Sequence, residues 1–269
     1  MIKYGFQTYT WQMSYEKYAG KIKHIVDVTS RCGMTAVEAE ICMLKDYFDK
    51  PEELLKIFAE KNIEFGALCL VCDWLNPRET EEEFSLAEKA VKYVKEIKKA
   101  MPDIILALCQ MPQKDRGNLN ERRKNALSCV NSAAKRAHDA GIPCVFHPNS
   151  PAGSVFRTHE DYKIMLDGLD SSYIGFAPDS GHIIKGGMNV YDIFRDYISV
   201  IKHAHFKDID KNGTWRVMGE GITDFVKITK ILNSCGYNGY IMVEDESPEA
   251  EINPDAVALH NAEFITKYL

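Results

Sequence analysis

In the second half of the chain, apolar runs end on groups that bind metals or move protons. His147 closes PCVF, Asp179 and His182 follow YIGFAP, His205 precedes Lys207 and Asp208, and Glu244 precedes Asp245 and Glu246. Imidazole and carboxylate suit divalent transition metals, and one ligand from each of four neighbouring strands can converge on one ion. A single such residue is commonly the satisfied partner of a backbone group. Four on successive runs would each need a separate partner, because a polar group ending a buried strand is costly unless hydrogen-bonded. His147, Asp179, His205 and Glu244 are therefore the expected ligands of one divalent ion. Mn2+ is the first expectation, and Co2+, Mg2+, Zn2+ and Fe2+ are the alternatives.

Converging on one ion requires adjacent strand ends, so the elements around these residues matter. Short apolar or β-branched runs at 2–7, 36–40, 64–71, 104–110, 143–147, 173–179, 201–208 and 239–246 alternate with helical periodicity. The helical stretches fall near 14–32, 51–61, 80–99, 119–140, 158–169, 190–200, 224–235 and 254–268. Thr158 is an expected N-cap and Gly141 an expected helix terminator. Eight βα units close a parallel barrel, and no linker rich in Pro, Gly or Ser interrupts them, so residues 1–269 read as a single (β/α)8 TIM barrel domain. An open doubly wound sheet is the alternative. It would normally carry a glycine-rich phosphate loop after its first strand, where Gln7-Thr8-Tyr9-Thr10 stands instead. In a barrel, strand C-termini line the active-site mouth, where all four candidate ligands fall.

The 269 residues carry 33 basic and 39 acidic side chains, a net charge of -6, without a basic block. That balance argues against a nucleic-acid partner. No run is long and apolar enough for a bilayer, and the start MIKYGFQTYTW lacks a signal-peptide pattern. A cytoplasmic protein is expected, and the eight scattered cysteines read as buried thiols. Cys69 and Cys72 form a C-x-x-C, but no second pair follows at zinc-finger spacing, so packing is the expectation for both. The assembly state is open, a homo-oligomer included.

Several ordered motifs, FHPN (146–149), DSGH (179–182), HAHFKD (203–208), MGEGITDF (218–225) and GYIMVED (239–245), resemble the xylose isomerase-like barrel superfamily. Within it they are most similar to inosose (2-keto-myo-inositol) dehydratases and related sugar isomerases and epimerases. The likeness covers most of the C-terminal half; the N-terminal half matches in strand pattern alone. It implies metal-assisted chemistry on a polyhydroxylated ketone, a sugar or cyclitol. In the epimerase branch two glutamates, ending strands five and eight, bind the metal and shuttle protons. Glu244 matches the second, but His147 stands in place of the first, which favours elimination over symmetric epimerisation. Dehydration needs a base next to the ketone, a metal to polarise it and stabilise an enediolate, and an acid for the departing hydroxyl. Glu244 or a neighbouring carboxylate is the expected base, and His182 or Lys207 the acid or enolate partner; the resemblance places a substrate-contacting histidine at His182.

Other residues are read more locally. Glu38 and Glu40 share one face of strand two, and Glu40 is expected at the mouth as a substrate hydrogen-bond acceptor, pairing with a buried cation being the alternative. His203, two residues before His205, is expected deeper in the barrel. Asp208 is expected to contact substrate, with a structural Lys207–Asp208 ion pair as the alternative. Trp11, Trp74 and Trp215 follow strands and are expected as an aromatic wall around a sugar ring, against simple packing on the rim. Glu220 is expected to brace its glycine-flanked loop. The leading expectation is a dehydratase. Ketose epimerisation or aldose-ketose isomerisation is the second, a metal-dependent DNA-end repair enzyme the third, and a non-catalytic sugar-binding accessory subunit the fourth.

Overall fold

The computed structural model describes residues 2–269. Its strands are β1 (Lys3–Gln7), β2 (Ala36–Glu40), β3 (Glu64–Cys72), β4 (Ile105–Gln110), β5 (Cys144–Phe146), β6 (Gly175–Phe176), β7 (Ala204–Phe206), β8 (Asp208–Ile209), β9 (Trp215–Arg216) and β10 (Tyr240–Val243). Eight of them form one sheet in the order β6-β5-β4-β3-β2-β1-β10-β7, with all neighbours parallel. Backbone bonds then join its two ends. Phe176 N–H donates to Val200 O at 2.8 Å, and His205 N–H donates to Pro178 O at 2.8 Å. With helices between the strands, this is the (β/α)8 barrel. β8 and β9 form a separate antiparallel ribbon after β7.

Alternation along each strand separates two environments. Outward residues such as Leu68, Leu70, Leu106, Leu108, Phe146 and Phe206 pack in the main core with the helices. Inward residues are smaller: Ala67, Cys69, Ala107, Cys109, Val145 and Ala177 form a separate cluster. Cys69 and Cys72, three positions apart, accordingly fall in different clusters, and neither forms a disulfide. The helices obey local end chemistry. Thr80 and Thr158 each make a capping box, with Glu83 and Asp161 respectively, and Gly141 follows Leu119–Asp139 with φ of +78°. Among the described residues, no helix is long and apolar enough to cross a membrane.

The expected strand ends at 147, 179, 205 and 244 all lie at one end of the ring. Three short helices near this mouth depart from the sequence reading: Tyr9–Gln12, Ile41–Leu44 and Ser180–Lys185. Each begins within four residues of a strand's end and is too short to establish a 3.6-residue period.

Candidate metal centre and substrate cavity

Inward alternation brings His205 on β7 to the mouth, along with His147, Asp179 and Glu244 just beyond β5, β6 and β10. One ligand atom from each of the four lies within 4.8 Å of the others, and all four residues are buried. Their remaining polar atoms are committed in a way that fits a cation. His147 Nδ1 lies 3.2 Å from Ala177 O, so it donates there as N–H and leaves Nε2 with a free lone pair. His205 Nε2 lies 3.0 Å from Glu38 Oε2, and its Nδ1 faces Glu244 Oε2 at 3.0 Å. Asp179 Oδ1 accepts from His182 N–H at 2.7 Å, capping Ser180–Lys185, while Oδ2 is buried without a hydrogen-bond partner. A fully buried carboxylate oxygen that makes no hydrogen bond, beside two oriented imidazoles, meets the requirement for a divalent ion.

The orienting carboxylate, Glu38, is completely buried on β2 and also bonds His203 Nε2 at 2.6 Å. His203 lies one inward position before His205 on the same strand, as its spacing predicts. Burial disfavours the charged form of Glu38, but the adjacent His205 and His203 outweigh it and hold the carboxyl well below its usual range. Burial and the neighbouring His205 push His147 down to about 3, which keeps its imidazole neutral. Burial and Lys207 push His182 down as well.

Lys207 organises the cavity wall from behind. Its ammonium is buried, and it pairs with Glu244 Oε1, with Glu246 Oε1 at 2.5 Å and with Asp179 Oδ2 at 3.6 Å. It also donates to His182 Nε2 at 3.2 Å, and His182 Nδ1 bonds Ser150 Oγ at 2.8 Å. Burial disfavours the ammonium, yet Asp179, Glu244 and Glu246 outweigh that cost and raise it well above an ordinary lysine. Gly181 permits this packing: a Cβ there would come within 2.8 Å of the Trp215 ring and 3.0 Å of Lys207 Cβ.

A cavity of about 650 Å³ opens over the centre. His147, Glu244, His182, Glu40 and Trp215 line it, whereas Asp179, His205 and Lys207 lie outside the lining. Glu40 receives a hydrogen bond from Gln12 Nε2 at 2.9 Å, and burial pushes its carboxyl up to about 7. Its alternative, pairing with a buried cation, is not realised: among the described residues no lysine or arginine lies within ion-pair distance of Glu40.

Three expectations about the rim need correction. Trp11 is buried on the outer side, its indole donating to Asp255 at 2.8 Å, because Tyr9–Gln12 is helical and turns Tyr9 and Gln12, not Trp11, toward the cavity. Trp74 is likewise fully buried away from the cavity, with its backbone at φ +46° and its N–H donating to Glu83 Oε1 at 2.6 Å. Asp208 neither lines the cavity nor pairs with Lys207. Its carboxylate accepts the N–H groups of Gly219 and Gly221, each at 2.9 Å, and of Thr223 at 3.2 Å. A Cβ at Gly221 would sit 2.2 Å from that carboxylate. Asp208 thus braces the loop expected of Glu220, which is exposed.

The sequence reading passed over Tyr9, Gln12, Asn149, Arg157 and Lys185, all cavity residues. They stand in loops or short helices, where no strand alternation signals direction. The Glu38–His205 contact joins residues 167 apart, and only the shared inward face of Glu38 and Glu40 hinted at it.

The fold and site together define a parallel barrel with a metal-type ligand set at its C-terminal mouth. Residues 26–268 match the family model described as xylose isomerase-like TIM barrel, and the chain belongs to that family. An inosose dehydratase of Clostridium perfringens (strain ATCC 13124) is 25% identical over 236 residues, covering 77% of this chain and 79% of that protein. A crystal structure of the IOLI protein with a binding zinc atom superposes with a TM-score of 0.76 at 18% identity, covering 100% of this chain and 99% of the other. The 3-keto-D-glucoside 4-epimerase YcjR from E. coli, in its apo form, gives a TM-score of 0.76 at 15% identity, with both chains fully covered.

Proposed function

We propose that the protein is a metal-dependent lyase of carbohydrate or cyclitol metabolism that removes water from a polyhydroxylated ketone, an inosose-like cyclitol being the first substrate to test. His147, Asp179, His205 and Glu244 would hold the ion, with Mn2+ the first metal to test. When bound, the ion would supply a Lewis acid for the ketone oxygen.

The carrying observation is the commitment of His147. With Nδ1 donating to Ala177 O and Nε2 left for the ion, this side chain keeps no lone pair to accept a proton. Asp179 is equally spent, one oxygen on the helix cap and the other toward the ion. Glu244 is the ligand that lines the cavity with a second carboxylate oxygen: with Oε2 toward the ion, Oε1 pairs with Lys207 and keeps a further lone pair for a proton. Burial raises its pKa, but Lys207 and His205 outweigh burial and hold the carboxyl ionised, ready to take the proton next to the ketone. His182 Nε2 accepts from the Lys207 ammonium while its Nδ1–H donates to Ser150 Oγ, a cavity-lining hydroxyl. A proton moving from Lys207 Nζ to Nε2 therefore releases the Nδ1 proton through Ser150 to a departing hydroxyl, and the proton taken by Glu244 returns to Lys207 through their ion pair. In this reading Lys207 acts through His182 and Glu244 and does not touch substrate. Trp215, edge-on to His182 with centroids 5.5 Å apart, offers an aromatic face to the ring, and Glu40 a hydrogen bond to a hydroxyl. The inosose dehydratase similarity supports this direction.

A second reading has its own observation. Glu40, held near neutrality at the end of β2, two strands from β10, is a carboxyl that could return a proton from another face and make the enzyme a ketose epimerase. Incubating metal-loaded protein with 2-keto-myo-inositol and with ketoses in deuterated water separates the two. Elimination gives enone ultraviolet absorbance and loss of water. Deuterium incorporation with inverted configuration and no dehydrated product would overturn the first reading in favour of the second.

A further inference from the structure

The cavity holds two cations that the proposed chemistry does not use. Arg157 and Lys185 both line it, half-buried, beside Glu246 and Trp215. Neither has a carboxylate within ion-pair distance among the described residues. Arg157 spends Nε on Ser150 O at 2.8 Å and approaches Lys185 O with Nη2 at 3.4 Å, both neutral acceptors. The nearby carboxylate of Asp161 is already taken by Arg116 and Arg123 and by the N-cap bonds of Thr158. The Lys185 ammonium lies 3.9 Å from the centre of the Trp215 ring. Glu246, the acid that could neutralise it, is paired with Lys207.

Charge bookkeeping across the cavity is therefore lopsided. Asp179 and Glu244 would offset a divalent ion, Glu246 offsets Lys207, Glu38 is buried against His203 and His205 outside the cavity lining, and Glu40 is held near neutrality by burial. Arg157 and Lys185 remain. Two uncompensated cations in one concave site repel each other and lose hydration, a cost that a bound anion removes. Burial and the repulsion from Lys207 and Arg157 push the lysine below its ordinary value despite Glu246. A guanidinium with free N–H groups beside an ammonium is the donor pattern that recognises carboxylate or phosphate. The chain is acidic overall, so a general excess of base does not explain the pair.

We infer that Arg157 and Lys185 form an anion subsite, and that the natural substrate carries a carboxylate or phosphate group at the end of the cavity beside Trp215. This rests on the site reading only in placing substrate in this cavity; it is independent of whether the reaction is elimination or epimerisation.

The test is calorimetric binding at low salt of three non-reacting probes: D-glucose, D-glucuronate and D-glucose 6-phosphate. The wild-type protein is expected to bind at least one charged probe about tenfold or more tightly than glucose, the stronger one telling carboxylate from phosphate. Arg157→Gln/Lys185→Gln should abolish that preference without changing metal content, and Lys185→Arg should retain it. Circular dichroism confirms folding of each variant. Equal binding of all three probes, or of none, overturns the inference. So does a preference that survives in the double variant, since the charge would then be recognised at the metal centre. Absence of enone from inosose together with a preference lost in the double variant would remove the neutral inosose as substrate and leave the subsite standing.

Discussion

From β5 round to β10 the barrel mouth presents His147, Glu244, His182 and the cations behind and beside them, whereas across the cavity β3 and β4 present Cys69, Val71 and Cys109, with Met111 just beyond. Both sides obey the same inward alternation. They differ in what completes each side chain. On the reactive side His147, His182 and His205 each have a designated hydrogen-bond partner for a ring nitrogen, and Glu38 on β2 orients His205, while Asp179 Oδ2 makes no hydrogen bond. On the quiet side burial dominates: with the nearby Glu40 adding to it, burial pushes the Cys109 thiol up to about 12 and raises Cys69 well above its usual value, so both stay protonated and inert. A barrel can therefore concentrate charge on one arc of its rim because the opposite arc is left small and apolar.

The contrast can be broken most severely at His182. His182→Gln should lower turnover by about 10²–10⁴, the usual contribution of a positioned acid, with metal content unchanged. Turnover within a few-fold of wild type would remove His182 from the proton path. Next comes the orienting carboxylate: Glu38→Ala should weaken metal affinity by roughly 10–100-fold, measured by chelator competition, because His205 loses the acceptor that fixes its ring. Unaltered affinity would make Glu38 a purely structural buried acid.

Glu40 sharpens the comparison in a pH-dependent way. A carboxyl raised from 4.5 to about 7 binds its proton more tightly in the folded state, so folding stability falls as pH rises between those values. Glu40→Gln removes that penalty. The variant should be more stable than wild type above pH 7 by roughly 1–3 kcal/mol, and the gap should close toward pH 4.5 in urea titrations. A gap independent of pH would show that Glu40 is not held neutral by burial. The smallest effect belongs to the quiet arc, where Cys109→Ala should leave metal content and turnover unchanged; loss of either would show that the arc contributes chemistry.

Much of this was legible in the residues themselves. Strands carry their direction in alternation, so the inward placement of Glu38 with Glu40, and of His203 with His205 and Lys207, follows from two-residue spacing. The four candidate ligands could be named because each ends an apolar run. The tryptophans could not be placed on the same logic, since following a strand fixes location but not direction. The four-residue helix at Tyr9 rotates Trp11 outward, and the positive φ at Trp74 does not show in composition. Lys207 has the right parity for the mouth, but the close approach of Ser180–Lys185, permitted by Gly181, covers it. Arg157 and Lys185 carry no pattern at all; the closed ring alone brings them together.

The central claim is that four strand-end residues hold one divalent ion, and elemental analysis of the purified protein beside Asp179→Ala tests it most directly. Wild type should retain about one equivalent of metal per chain after exhaustive dialysis. Asp179→Ala, which removes the carboxylate whose Oδ2 has no protein hydrogen-bond partner, should retain almost none while keeping its circular dichroism spectrum. Equal metal stoichiometry in the two proteins would contradict the account.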